Sequence, residues 1–118
     1  MPERETAKQP EDLARMFVQR AQAKDAEGLA ELYEPDAVLA YPPGHETVGR
    51  AAIRAVMEKL VAAAPDFKPE DPLPTLRFGD LALTSTRPAD GTGGRVQVAR
   101  RQPDGSWLRI IDRPELPS

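Results

Sequence analysis

The chain has 118 residues, enough for one domain with a single core and too few for two. Charged residues make up 30% and aromatics only 5%, so the core must be built mainly from Leu, Val, Ile and Ala. A net charge of −3 with both signs interspersed argues against nucleic acid as a partner, because phosphate binding needs clustered Lys and Arg. The absence of cysteine removes disulfides and thiolate metal sites. No apolar run approaches the roughly 18 to 20 residues of a membrane span, and the polar start, MPERETAKQPED, holds no segment of signal-peptide length. These features predict a soluble, cytoplasmic protein with neither nucleic acid nor membrane as a partner.

In chain order, residues 1–9 read as a loose arm. Pro10 suits a helix start, with Glu11 and Asp12 favourable at the positive end of the dipole. Leu13, Met16, Phe17 and Ala21 follow helical spacing to about Lys24. Asp25 is placed to cap a shorter second helix in which Leu29, Leu32 and Tyr33 share a face, and Glu34-Pro35-Asp36 ends it. Ala37 to Tyr41 predicts the first strand; Pro42-Pro43-Gly44 stops it, and a loop runs through His45 to Gly49. Ile53, Val56, Met57, Leu60 and Val61 predict a third helix from Arg50 to Ala64, ended by Pro65. Phe67 to Phe78 contains Pro69, Pro72 and Pro74, so a strand there is bent and lies at a sheet edge. Gly79-Asp80 turns into paired strands at Leu81–Arg87 and Arg95–Arg101; Pro103-Asp104-Gly105 then turns into a last strand, Trp107–Arg113. Residues 114–118 form a tail. The pattern predicts one α+β domain over residues 10–113, with three helices on one face of a mostly antiparallel sheet of about five strands.

That order, with YEPDAV after the second helix, a Pro-x-Gly loop, VGRAAI opening the third, GDLAL on a strand and DGSW before the last, resembles the nuclear transport factor 2-like superfamily. Within it, the similarity is to SnoaL-like and ketosteroid-isomerase-like small proteins. The resemblance implies a cone: a strongly curved sheet around a long helix, with an apolar pocket open at one end. It also implies a homodimer through the outer sheet face. Relatives include isomerases, polyketide cyclases, dehydratases and epoxide hydrolases, which need no cofactor, and domains without chemistry, so the fold leaves the function open. The isomerases' acid base, before a proline at the end of the first strand, is Tyr41 here. Their tyrosine and aspartate oxyanion donors correspond to Phe17 and Gln97, which argues against steroid isomerisation. The cyclases' strand aspartate corresponds to Asp112.

Asp112 follows Leu108 and Ile110 in LRIID, and if those face inward, period-two alternation turns Asp112 inward as well. A carboxylate among apolar walls suits a general base; the alternative is a pair with an arginine at the rim. Tyr41 alternates with Ala37 and Leu39 and could donate to a developing oxyanion, or be a core tyrosine with a wet hydroxyl. His45, beside Glu46 in a Pro/Gly loop, could relay a proton at the mouth or simply be solvated; a lone histidine makes no metal site. Phe17, Met57, Gln97 and Ile110 complete the expected lining. Phe17 and Met57 are equally core residues, and Gln97 faces the pocket only by the family resemblance. Val96, Val98 and Trp107 are expected on the outer, dimerising face. Two function classes remain: a cofactor-independent enzyme that isomerises, cyclises, dehydrates or hydrolyses a small apolar carbonyl or epoxide compound, and a non-catalytic ligand-binding or dimerisation module.

Overall fold

The structure, a computed structural model, describes residues 5–63, 70–87 and 94–114. The helical spacing of the N-terminal half is realised as α1 (Asp12–Gln22), α2 (Ala26–Ala30) and α3 (Arg50–Ala63). Leu13 and Met16 of α1, Leu29 of α2 and Ile53, Met57 and Val61 of α3 are all buried. Asp25 caps α2 as expected, its Oδ1 accepting the Gly28 N–H at 2.9 Å.

Between and after the helices run β1 (Tyr33–Leu39), β2 (Thr47–Val48), β3 (Asp71–Pro72), β4 (Leu76–Phe78), β5 (Leu81–Arg87), β6 (Arg95–Arg101) and β7 (Trp107–Arg113). They form one sheet in the order β2-β1-β7-β6-β5-β3, with β4 also paired to β5. The described sheet thus has seven strands rather than about five, because the proline-rich edge breaks into two short pieces and the loop after Pro43 adds a third. Pairing is antiparallel throughout except between β1 and β7, which run parallel.

Two local expectations are corrected at the start of β1. The second helix stops at Ala30, and Tyr33 is the first residue of a strand rather than a helix-face residue. Proline restricts Glu34 to extended backbone, and a tyrosine before it fits a strand. The β1–β7 register shifts between Tyr33 and Val38, so Glu34-Pro35-Asp36 bows out where Pro35 offers no N–H to the ladder. Residues 5–9 are also not a loose arm. Ala7 is buried, its carbonyl accepts the Trp107 N–H at 2.9 Å, and Arg15 grips Glu5 through two contacts of 2.7 and 3.2 Å. Trp107 lies ahead of the point where β1 begins to pair with β7, so the N-terminal segment satisfies the exposed strand edge there.

The decisive irregularity is in β7. Val98 of β6 pairs with Ile111 and Ala99 with Arg109, leaving Ile110 without a partner. This β-bulge resets the alternation. Trp107, Arg109 and Asp112 are buried, whereas Leu108 and Ile110 are half-buried and Ile111 is 52% exposed. Asp112 therefore turns inward without Leu108 and Ile110, and Trp107 belongs to the buried face rather than the outer one. On β6, Gln97 and Ala99 are buried while Val96 and Val98 alternate with them.

Ile53 has no exposed surface and sits where α3 faces the sheet, so Ile53→Ala should lower unfolding free energy by about 2–5 kcal/mol in urea titration. Lys59→Ala, at an exposed position of the same helix, should change it by no more than about 0.5 kcal/mol.

Candidate functional site

The parallel pairing of β1 with β7 sets Tyr33 opposite Arg109 and Leu39 opposite Asp112. With the bulge turning both charged residues inward, three polar side chains meet under the helices. The Tyr33 hydroxyl donates to Asp112 Oδ2 at 2.5 Å, and Arg109 Nη1 lies 3.5 Å from the same oxygen. Exposures of 0% for Tyr33, 2% for Asp112 and 4% for Arg109 put the whole cluster out of water. The Arg109 guanidinium also lies over the rings of Phe17, at 5.3 Å, and Tyr33, at 5.9 Å, which offsets part of its lost hydration.

Burial pushes the Tyr33 hydroxyl well above its ordinary pKa, and the neighbouring Asp112 charge pushes it further. For Arg109, burial acts downward, but Asp112 and Tyr33 outweigh it and the net displacement is upward. Tyr33 thus remains a donor and Arg109 a cation across the physiological range. A buried ion pair of this kind is close to neutral for stability as a whole, because desolvation offsets most of the attraction. Breaking it by removing one partner is costly, since an uncompensated charge is left inside. The apolar surroundings expected for Asp112 are therefore corrected: its walls include a cation and a hydroxyl donor.

Two atoms of the cluster are left over. Asp112 Oδ1 and Arg109 Nε are buried and have no hydrogen-bond partner. Native interiors rarely leave such atoms unpaired without a water, an ion or a ligand to meet them. Gln97 stands opposite Asp112 across the β6–β7 ladder, and its Oε1 accepts the Thr84 hydroxyl at 3.1 Å. Thr84, Gln97 and Asp112 so form a buried polar row over three strands.

The remaining expected residues are placed as follows. Tyr41 lies two residues beyond Leu39, half-buried against the core, and its carbonyl accepts the Thr47 hydroxyl at 2.7 Å. The hydroxyl partner of Asp112 is Tyr33 and not Tyr41. His45 is exposed in the turn that follows the cis Tyr41-Pro42 bond. Phe17 touches the cluster through Arg109, Met57 is buried core on α3, and Ile110 is the bulge residue. Sequence reasoning missed Tyr33 and Arg109. The available signals were Glu34-Pro35, which marks extended backbone, and Arg109 lying two residues from Trp107 within an otherwise apolar run. An open surface depression of about 450 Å³ lies elsewhere, bounded by Asp80, Arg101, Gln102, Pro103 and Gly105. It adjoins the Trp107 end of β7, roughly 15 Å along the strand from Asp112 by strand rise, and its Arg101–Asp80 pair is solvent-exposed. The buried cluster, not this depression, holds the unpaired reactive atoms.

The chain belongs to the SnoaL-like domain family, whose profile matches residues 14–112. No curated protein matches the sequence. Solved structures share the fold. An NTF2-like protein with a cystatin-like fold from Novosphingobium aromaticivorans is 24% identical, with a TM-score of 0.67 over 89% of this chain and 77% of that one. A ketosteroid isomerase-like protein from Erwinia carotovora atroseptica is 17% identical, with a TM-score of 0.69 over 87% of this chain and 89% of the other. A Streptomyces avermitilis protein of the NTF2-like family, provisionally called a dehydratase, is 18% identical, with a TM-score of 0.65 over 86% and 90%. Among the described residues no helix is long and apolar enough to cross a membrane.

Because the folded-state pKa of Tyr33 is raised, the folded protein holds that proton more tightly than the unfolded chain does. The resulting stability is fully present below the ordinary tyrosine value of about 10 and is lost as pH rises from there toward the higher folded value. Unfolding free energy measured above pH ~10 should therefore fall more steeply for the wild type than for Tyr33→Phe. Near neutrality the same variant should be less stable by about 1–3 kcal/mol, for loss of a buried bond to a carboxylate.

Proposed function

We propose that the protein is a cofactor-independent acid–base enzyme. In this reading Asp112 takes a proton from a small apolar carbonyl compound, or activates a water against a carbonyl or epoxide, in an isomerisation, cyclisation, dehydration or hydrolysis. The observation that carries the reading is the asymmetry of the carboxylate. Oδ2 is anchored by Tyr33 and faces Arg109, while Oδ1 is buried and unpartnered. A base needs that arrangement: one oxygen fixing direction, the other free for the proton. Membership of the SnoaL-like family and the isomerase-like and dehydratase names of structural relatives support the same reaction classes. Tyr33 acts as a positioning residue through Oδ2, and Gln97 and Phe17 form adjacent wall. Tyr41, half-buried beyond Leu39, is a further donor toward a ligand oxygen, and the exposed His45 a proton relay with water.

The first test is α-proton exchange of cyclohexanone in D₂O followed by NMR, alongside hydration of styrene oxide. Asp112→Asn should reduce whichever activity the wild type shows by about 10² or more, the usual contribution of a positioned base. Tyr33→Phe should reduce it less while shifting its pH profile. The variants are compared well below their unfolding midpoints, since Asp112→Asn leaves Arg109 unpaired. No activity above buffer with either compound would sink the reading for both substrate classes.

A second reading, a non-catalytic binding or dimerisation module, is favoured by the outer sheet face. The strand register aligns Leu76, Leu83, Val98, Ile111, Val38 and Val48 in one apolar row across six strands. Leu76, Ile111 and Val48 are 65%, 52% and 59% exposed. The row is roughly 24 Å long at ordinary strand spacing, and contiguous exposed apolar surface of this kind marks contact sites. We take its occupant to be a second copy of the chain, whichever function class holds. Light scattering should give a dimer for the wild type and a monomer for Val98→Glu/Ile111→Glu; a monomeric wild type at high micromolar concentration would remove the dimer.

A further inference from the structure

Away from the buried cluster, the segment ahead of α1 is fastened to the sheet in a way that the function above does not use. Ala7 is 2% exposed, and its carbonyl accepts the Trp107 N–H at 2.9 Å in an antiparallel bridge. β1 takes up pairing with β7 only at Arg109, so residues 5–9 occupy the strand edge that lies ahead of it. Trp107, the only tryptophan of the chain, is covered there to 5% exposure. The further fastenings are charged. Arg15 of α1 grips the Glu5 carboxylate at 2.7 and 3.2 Å, and Arg20 donates to the Glu5 carbonyl at 2.5 Å. Asp12 Oδ2 accepts the Lys8 and Gln9 N–H groups at 3.2 and 3.1 Å. Arg77, 5.9 Å from the centre of the Trp107 ring, reaches Gln9 at 3.1 Å and Glu11 at 3.3 Å.

These ion pairs share two properties. They face water: the Glu5 and Arg15 side chains are 54% and 44% exposed, and those of Glu11 and Arg77 45% and 49%. Exposed pairs hold weakly, and salt screens them. Each also sets a carboxylate against an arginine, so in the ordinary pH range only the acid can lose its charge. The Arg15 hydrogen bonds hold the Glu5 carboxyl below its usual value, with the charges of Arg20 and Lys8 acting the same way. Thr75 and then Arg77 lower Glu11 likewise. Because both folded values are depressed, the grip is fully present above the usual carboxylate value of about 4.3 and is lost as pH falls through the lower folded ones. Leu13 and Met16 of α1, each 1% exposed, are held instead by apolar burial, which has no charge to screen or titrate. The strap can therefore let go while α1 stays seated.

We propose that residues 5–9 form a latch on β7 that salt or acid releases locally, baring Trp107 and the strand edge ahead of β1 while the domain stays folded. Closed, the strap pairs the Trp107 N–H and covers an edge that would otherwise offer itself to another strand. Open, it leaves that N–H to water two residues before Arg109, so the state of the latch reaches the strand that carries the buried cluster. The latch does not depend on the acid–base reading.

The test is hydrogen exchange of the Trp107 backbone amide in the full chain, measured by NMR beside the amides of the central strand β6. Acrylamide quenching of Trp107 fluorescence is the second readout. At neutral pH and low salt Trp107 should be less protected than β6, since the strap opens without the sheet. Glu5→Gln should lower Trp107 protection about two- to fivefold, the usual worth of an exposed ion pair, and leave β6 unchanged. Raising NaCl from about 0.05 to about 0.5 M should do the same to the wild type and less to Glu5→Gln. Below pH ~4 quenching should rise while far-UV circular dichroism is unchanged. Glu58→Gln, which breaks an exposed pair with Arg54 on α3, should leave Trp107 as it was. Equal protection of Trp107 and β6, or an equal loss at both in Glu5→Gln, would overturn the latch, because the strap would then open only with the whole domain. Trp107 protection that Glu5→Gln and salt both leave unchanged would overturn it too.

Discussion

The contact between Tyr33 and Asp112 ties the beginning of β1 to the end of β7, residues 79 apart in sequence. Almost everything distinctive in this molecule is needed to make it. The second helix must stop at Ala30 so that Tyr33 opens a strand, and that strand must bow at Pro35 to stay beside β7. The last strand must bulge at Ile110 so that Arg109 and Asp112, three residues apart, turn to the same side. In a regular strand a separation of three puts two side chains on opposite faces. The bulge brings Arg109 and Asp112 together as one buried pair.

Such a pair is a poor source of stability, because the attraction does little more than cover the desolvation of two ions. What it supplies is direction. The Asp112 carboxylate is anchored through one oxygen and faced by a neighbouring cation, while its second oxygen has no partner. A strand bulge at the same place therefore shapes both the sheet and the buried cluster. Beyond it Ile111 turns outward into the apolar row across the sheet, so the inner polar cluster and the outer apolar row share one structural cause. Anything that straightened β7 at Ile110 would exchange the two faces.

The helices were legible because their signals are local. Ile53, Met57 and Val61 recur at a period that only a helix satisfies, and Asp25 offers the N-cap oxygen that a following helix needs. The paired strands Leu81–Arg87 and Arg95–Arg101 were equally legible, since alternation and a glycine-rich connection each point to a hairpin. The loop between them and the residues expected to end α3 lie outside the described residues. The site was read less well. Asp112 was singled out on the premise that Leu108 and Ile110 face inward, and it reaches the interior by a different route. In the sequence Tyr41 stands out at a strand end before Pro42 and His45 as a lone loop histidine, while the spacing of Tyr33 from Leu29 reads as one helix face.

What the amino-acid order determined alone is the set of elements whose cause lies within a few residues: the three helices, the turns at Gly79 and Gly105, the strands of the C-terminal half and hence the α+β class. What only the tertiary structure decided is which side of each strand meets the helices and which polar groups meet one another. That choice depends on register between β1, β6 and β7, and register is set by the burial of whole faces at once. A one-residue insertion at Ile110 reverses every later side chain, and no local propensity around Leu108 to Arg113 distinguishes the bulged strand from the regular one. Arg109 is therefore an ordinary surface arginine in the sequence and a buried cation in the fold.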